Sequence, residues 1–97
     1  MSKKKKKITD DLLAKINPNA VVAQGFDEAY VGYLRRANKP SIALYDYKTC
    51  IDILIRDEDY TLDEAIDFME NYILQHDEGD STCGFAHWKD EYDNGKD

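Results

Sequence analysis

Residues 41–74 read SIALYDYKTCIDILIRDEDYTLDEAIDFMENYIL, and this stretch decides the fold. It opens with a run of branched and aromatic residues, which favours a β-strand. Two segments with apolar residues at intervals of three and four follow, which predicts two consecutive amphipathic helices. Asp46 is the expected N-cap of the first helix, and Thr61-x-x-Glu64 is a capping box that begins the second. Residues 56–60 are expected to separate the two helices.

A second strand-like run precedes this stretch. Residues 30–35 are rich in aromatic and branched side chains, residues 37–40 have turn chemistry, and residues 41–45 complete a predicted β-hairpin. Gly32 indicates either a β-bulge or a close backbone approach. A hairpin alone is marginally stable in water, so the helices are expected to cover one of its faces. The apolar positions of the second helix are Leu62, Ala65, Ile66, Phe68, Met69, Tyr72 and Ile73.

The flanking segments complete a single α+β domain. Thr9 is the expected N-cap of a short helix that ends before the Asn17-Pro18-Asn19 segment, and residues 85–88 are a candidate edge strand. Residues 20–29 are compatible with either a strand or a helical turn. The predicted domain spans residues 8–88: a short N-terminal helix, then a β-hairpin packed against two consecutive antiparallel amphipathic helices. Residues 1–7 are expected to be a disordered basic arm and residues 89–97 a disordered acidic tail.

The formal charge of −7 is unevenly distributed along the 97 residues. Residues 3–7 are five lysines, residues 8–56 are balanced, and residues 57–97 hold fourteen Asp or Glu against two lysines. An acidic half disfavours direct contact with nucleic acid and favours a basic protein surface as partner. The candidate contact residues are Asp57, Glu58, Asp59, Asp63, Asp67, Glu70, Asp77, Glu78 and Asp80.

The cellular setting expected from the sequence is a reducing cytoplasm. The longest apolar run, residues 20–23, falls far short of the ~20 residues that cross a bilayer, so no membrane association is expected. Charges within residues 8–16 interrupt any signal-peptide core. The two cysteines do not form a disulfide framework.

No metal ion or other cofactor is expected from the motifs. Residues 57–68 resemble a calcium loop at their start, but Leu62 replaces the required glycine and Phe68 the required glutamate. Four potential zinc ligands lack a diagnostic spacing. They are Cys50, His76, Cys83 and His87.

Two further hypotheses compete with a protein-binding role. A nucleotide-like ligand is the first, because aromatic side chains and arginines of the predicted hairpin could hold bases and phosphates. Its candidate residues are Tyr33, Arg35, Arg36 and Tyr45, although exposed arginines are also common on edge strands. An enzyme that uses Cys83 with His76 or His87 is the second, but no orienting group or oxyanion donor is recognisable, so no catalytic residue is assigned.

One resemblance narrows the biological setting. The pattern GFDEA at 25–29, GY at 32–33, IALYD at 42–46, KTCIDIL at 48–54 and TLDEA at 61–65 is similar to that of a group of small uncharacterised bacteriophage proteins. It covers about half of the chain and departs from the group in its second helix and towards its end. The resemblance implies a phage setting and no particular activity.

These observations favour a non-enzymatic phage accessory protein in the host cytoplasm. We expect it to bind a host or phage macromolecule through its acidic surface, for example as an inhibitor of a host defence or transcription component. Binding or sequestering a nucleotide-like molecule is the alternative, and Cys/His enzyme chemistry is the third. An exposed hairpin edge is also compatible with a symmetric homodimer.

Overall fold

The computed structural model describes residues 11–89. Its domain contains a mixed three-stranded sheet and the helices that precede and connect its strands. The fold is α+β with a short N-terminal helix, as the sequence predicts. The predicted cap Thr9, the basic arm at 1–7 and residues 90–97 of the predicted tail lie outside the described residues. The elements are α1 (Asp11–Ile16), a 3-10 turn (Asp27–Ala29), β1 (Tyr30–Arg36), β2 (Lys39–Asp46), α2 (Tyr47–Glu58), α3 (Leu62–Phe68), a π-helical segment (Met69–Ile73) and β3 (Gly84–Ala86).

The predicted hairpin is formed by β1 and β2, which pair antiparallel. The register shifts between Tyr30 and Gly32, and Gly32 has a φ of 142°, so the predicted β-bulge is confirmed. The turn is shorter than expected, because Lys39 already pairs with Arg36 and belongs to β2. Asn38 adopts a φ of 60° in this turn, a conformation that asparagine tolerates better than most residues.

Helix α2 begins where β2 ends, at the predicted N-cap residue Asp46. The side chain of Asp46 makes no cap hydrogen bond to the helix backbone; its carboxylate accepts instead from the hydroxyl of Thr49. The helix continues to Glu58, two residues beyond the predicted break at Arg56. It ends at Asp59, whose left-handed φ of 60° turns the chain towards α3.

Helix α3 begins with the predicted capping box. The Thr61 hydroxyl accepts from the Glu64 backbone N–H at 3.1 Å, and the Glu64 carboxylate accepts from the Thr61 N–H at 2.8 Å. Helix α2 packs against β2, and α3 packs against α2. The predicted apolar stripe of α3 is consequently only partly used: Ala65 and Met69 are buried, whereas Leu62, Ile66 and Tyr72 are exposed.

The third strand closes the sheet on the other side of β2. Strand β3 pairs parallel with β2, which places Tyr45 opposite Phe85. A parallel neighbour requires a long crossover, and α2 and α3 provide it. Gly84 permits a close approach of the strands, because a Cβ there would lie 3.3 Å from Cδ1 of Ile42. The edge strand predicted at 85–88 is present at 85–86, and β3 begins one residue earlier and ends two residues earlier than predicted.

Two polar anchors hold the segment at 20–26 and the loop at 77–82 against the sheet. The Tyr45 hydroxyl accepts from the Ala23 backbone N–H at 2.9 Å. The amide of Asn17 donates to the Ser41 carbonyl at 2.8 Å and to the Ser81 hydroxyl at 3.1 Å. Residues 20–29 thus form a loop that ends in a 3-10 turn, which settles the choice that the sequence left open. Within residues 11–89, no helix has the length and apolar character needed to span a bilayer.

The unequal burial along α3 gives a direct test of the packing. We expect Met69→Ala to lower the free energy of unfolding by about 2–5 kcal/mol, because Met69 is fully buried and its truncation leaves a cavity. The matched control is Ile66→Ala on the same helix, which should cost less than about 1 kcal/mol because Ile66 is exposed. Urea denaturation measures both changes. Equal losses for the two variants would contradict this packing.

Candidate functional site

The predicted acidic residues fall into two groups in the fold. Those of the first group, which we call the acidic ridge, lie at the end of α2, at the turn and along one side of α3, and all are exposed. Spacings of four and three residues keep Asp63 and Asp67 of α3 and Glu70 of the π-helical segment on one side. The acidic ridge consists of Asp57, Glu58, Asp59, Asp63, Asp67 and Glu70.

Most of the negative charge on the acidic ridge is not neutralised by neighbouring cations. Arg56 contacts Asp57 at 2.6 Å, and this guanidinium hydrogen bond holds the pKa of the Asp57 carboxyl below its usual value. Asp67 accepts from the neutral amide of Asn71 at 2.6 Å, and Glu70 accepts from the Tyr47 hydroxyl at 2.8 Å. Among residues 11–89, Arg56 is the only cation that forms an ion pair with the acidic ridge.

The second group, Asp77, Glu78 and Asp80, lies in the loop before β3 and is tied into local contacts. Asp77 accepts from the Gly79 N–H at 2.8 Å. Glu78 contacts Nε2 of His76 at 2.5 Å, and Asp80 lies 3.9 Å from Nζ of Lys39. This loop is therefore partly neutralised, and the acidic ridge carries the larger uncompensated charge.

An apolar groove of about 450 Å³ lies between residues 20–26, the end of α3 and β3. We call it the first groove. Its walls include Val22, Tyr72 and Leu74, which are 38%, 65% and 40% exposed. The first groove therefore presents accessible apolar surface, with Tyr72 the most exposed of the large apolar side chains in residues 11–89.

A second groove of about 400 Å³ adjoins the first. Gln24, Phe26 and Ile73 line both grooves, so the two depressions meet at these side chains. Asp57 and Glu58 of the acidic ridge line the second groove. The apolar surface and the acidic ridge are therefore contiguous.

The first groove also contains the residues of the enzyme hypothesis. Cys83, His76 and Glu78 all line it, and His76 is held by Glu78 as a catalytic base would be. Burial raises the pKa of the Cys83 thiol, and the negative charge of Glu78 adds to this effect. A cysteine nucleophile requires a lowered pKa, and no hydrogen bond joins Cys83 to His76 in the described part of the chain. His87 lies elsewhere, stacked on Tyr47 with ring centroids 4.2 Å apart. The raised pKa of Cys83, without a hydrogen bond to His76 among the described residues, opposes formation of the Cys83 thiolate.

Cys50 is a core residue, as its position in the helical pattern predicts. It is fully buried in α2, and burial raises the pKa of its thiol to about 12, with a contribution from the charge of Asp46. No group of three His, Cys, Asp or Glu side chains in residues 11–89 has a geometry suited to a metal ion.

The four residues considered for a nucleotide-like ligand do not converge. Tyr45 is fully buried in the core, and Arg36 donates to the backbone carbonyls of Pro40 at 2.7 Å and Asp80 at 2.6 Å. Arg35 is exposed, while Tyr33 packs partly buried against the core. None of the four lines either groove.

The chain matches no protein-family model, no curated protein and no solved structure. The sequence pattern missed both grooves, because their shared wall comes from residues 20–26, a short apolar run without helical or strand periodicity. The one sign of the grooves in the sequence is this apolar segment itself, which lies outside the helices and strands.

The raised pKa of Cys83 predicts slow alkylation of this thiol. In the native protein, the rate of reaction with iodoacetamide should rise with a midpoint above pH 9.0, the ordinary value for a cysteine. Glu78→Gln should move the midpoint down towards that value, and the urea-unfolded protein provides the reference. Reaction at pH 7 that is faster in the native than in the unfolded protein would revive the enzyme hypothesis.

The raised pKa of Cys50 predicts a loss of stability at alkaline pH. The folded chain holds this proton more tightly than the unfolded chain, so the stabilisation is complete below pH 9.0 and falls as the pH rises towards 12. Cys50 should contribute about 1 kcal/mol to the fall between pH 9 and 10. Tyr45 adds to the fall from pH 10.0 upwards, because burial raises its pKa to about 12.

Cys50→Ala tests this assignment. The variant should show a shallower decline of unfolding free energy above pH 9, measured by urea denaturation at each pH. Val31→Ala, an exposed truncation on β1, is the control and should keep the wild-type slope. Identical slopes for Cys50→Ala and wild type would place the alkaline titration on other groups.

Proposed function

We propose that this protein is a non-enzymatic binding protein that engages a basic region of a macromolecular partner through the acidic ridge. The observation that carries the proposal is the exposure of six carboxylates on consecutive elements with a single cation paired to them among the described residues. Unpaired charges of one sign attract a partner of opposite charge and steer its approach. At the rim of an interface such charges stay in contact with water, so the cost of their full desolvation is avoided.

The rigidity of the ridge supports this role. Thr61 and Glu64 fix the start of α3 through both hydrogen bonds of the capping box, and Asp59 is held in the turn by its left-handed backbone. Met69 anchors the other end of the helix in the core. A surface whose backbone is already ordered loses less conformational entropy when it binds.

The biological setting is part of the proposal. The resemblance of residues 25–54 and 61–65 to small bacteriophage proteins favours a phage accessory protein that acts in the host cytoplasm. A basic surface on a host defence or transcription component is a fitting target, because proteins that bind nucleic acid carry exposed Lys and Arg. The acidic ridge would then compete with nucleic acid for that surface.

Cys/His chemistry and nucleotide binding have weaker support. The Cys83 thiol is disfavoured as a nucleophile by its raised pKa. A nucleotide requires cationic or N–H donors for its phosphates, and no Lys or Arg lines either groove.

Charge-neutralised variants test the proposal by affinity capture from a bacterial lysate. The ridge variant carries Asp59→Asn, Asp63→Asn and Asp67→Asn, since asparagine preserves the turn at 59 and the contact to Asn71. We expect basic proteins to be captured by the wild-type chain and lost with the ridge variant. Raising the salt to 0.5 M should release them, because the Debye length falls below about 5 Å.

The matched control removes three charges outside the ridge through Asp27→Asn, Asp52→Asn and Asp80→Asn, and it leaves the contacts of Arg56 intact. This variant should capture the same partners as the wild type. Circular dichroism and thermal denaturation establish that both variants fold. A partner that is retained by the ridge variant, or lost equally with the control, would refute the role of the acidic ridge.

A further inference from the structure

Several apolar side chains beside the acidic ridge are exposed to solvent instead of being buried in the core. Tyr72 of the π-helical segment, Leu74 directly after it and Val22 of the 20–26 segment line the first groove. All three are exposed by more than a third, whereas the core behind them is closed by the fully buried Tyr45 and Met69. These three side chains are therefore accessible to a ligand, while Phe26 and Ile73 at the base of the grooves pack with the core.

Each groove is lined by at least one carboxylate that the other groove lacks. Glu78 lines the first groove, and Asp57 and Glu58 line the second, while Phe26 and Ile73 join the two at the centre. Neither groove is lined by Lys or Arg. An occupant of both grooves would consequently meet apolar side chains at the shared residues and a carboxylate in each groove.

We propose that the two grooves bind one peptide segment of the partner, in which apolar side chains are flanked on both sides by Lys or Arg. The inference rests on the proposed function and adds the chemistry of the segment that is recognised. Apolar side chains of the segment fill the grooves around Phe26 and Ile73. Its cations pair with Glu78, which also holds His76, on the side of the first groove and with Glu58, beside the Arg56–Asp57 pair, on the side of the second, which fixes the position of the segment along the surface.

The arrangement fits a peptide segment better than a small molecule. Each groove has a volume of about 400–450 Å³, within the range of ligand pockets, which is roughly 300–1,000 Å³. The two volumes are joined side by side and bordered by carboxylates that belong to different elements. A ligand that uses both grooves and both charged borders must be elongated, with cations separated by its apolar part.

A random 12-residue peptide library, selected on the immobilised full-length chain, tests the inference without assuming a partner. We expect enrichment of peptides with two or more apolar residues between basic flanks. Enrichment of acidic or uncharged peptides, of basic peptides without apolar residues, or of no peptide at all would overturn it.

The most enriched peptide then permits a quantitative test with fluorescence anisotropy. Val22→Ser with Leu74→Ser should weaken its binding at least tenfold, and replacing its flanking Lys or Arg by Glu should do the same. The matched control is Val31→Ser, an exposed valine of β1 outside the grooves, which should bind as the wild type does. Equal affinity of the wild type and the groove variant would exclude the grooves as the site.

The two proposals fail in different ways. If the groove variant still captures the lysate partners and the ridge variant loses them, the groove inference is wrong and the proposed function stands. If the ridge variant retains those partners, the proposed function itself is wrong, whatever the peptide results.

Discussion

The burial of Tyr45 is the constraint on which the rest of the structure depends. Its ring lies between Tyr30 and Phe85, with centroids 5.6 Å and 5.7 Å away, so one side chain joins all three strands. Its hydroxyl reaches out of the core and accepts from the Ala23 N–H, which fixes the segment at 20–26. Without that hydrogen bond the buried hydroxyl would lack a partner, so the position of the segment follows from the core. This contact and the hydrogen bond from the Val21 N–H to the Ser81 carbonyl at 3.1 Å together hold the segment that forms a wall of both grooves.

Most of the helices and strands were predictable because the interactions that begin and end them involve residues close together in the sequence. A capping box, a helical period, a turn rich in asparagine and proline, and a glycine within a strand each depend on a few neighbouring residues. Burial depends on which element lies opposite, so the pattern could not tell that Met69 would be enclosed and Ile66 left exposed. Asp46 shows the same division between local and non-local signals. Its position as N-cap of α2 was predicted correctly, but its side chain accepts from the Thr49 hydroxyl and not from the helix backbone.

The candidate site was predictable in its charge and not in its shape. The excess of carboxylates after residue 57 is visible in the sequence, but the chain reverses between α3 and β3, which divides them into a free ridge and a partly paired loop. Arg36 is the clearest example of a role that the sequence did not predict. The sequence made it a candidate for binding phosphate, but its guanidinium donates to the Asp80 carbonyl, 44 residues away in the chain. No local pattern specifies a contact of that separation.

The last turn of α3 is wider than the turns before it. In the π-helical segment Met69–Ile73, the Leu74 N–H donates to the Met69 carbonyl at 2.8 Å, five residues back instead of four. A π turn of this kind behaves as a one-residue insertion, so deleting one residue there would restore an α-helix and rotate everything beyond it by about 100°. Tyr72 and Leu74 would change direction while Met69 kept its place in the core. The burial of Met69 and the direction of the side chains beyond it are thus set separately, so a change of length at this one turn would reshape the wall of the first groove and leave the core in place.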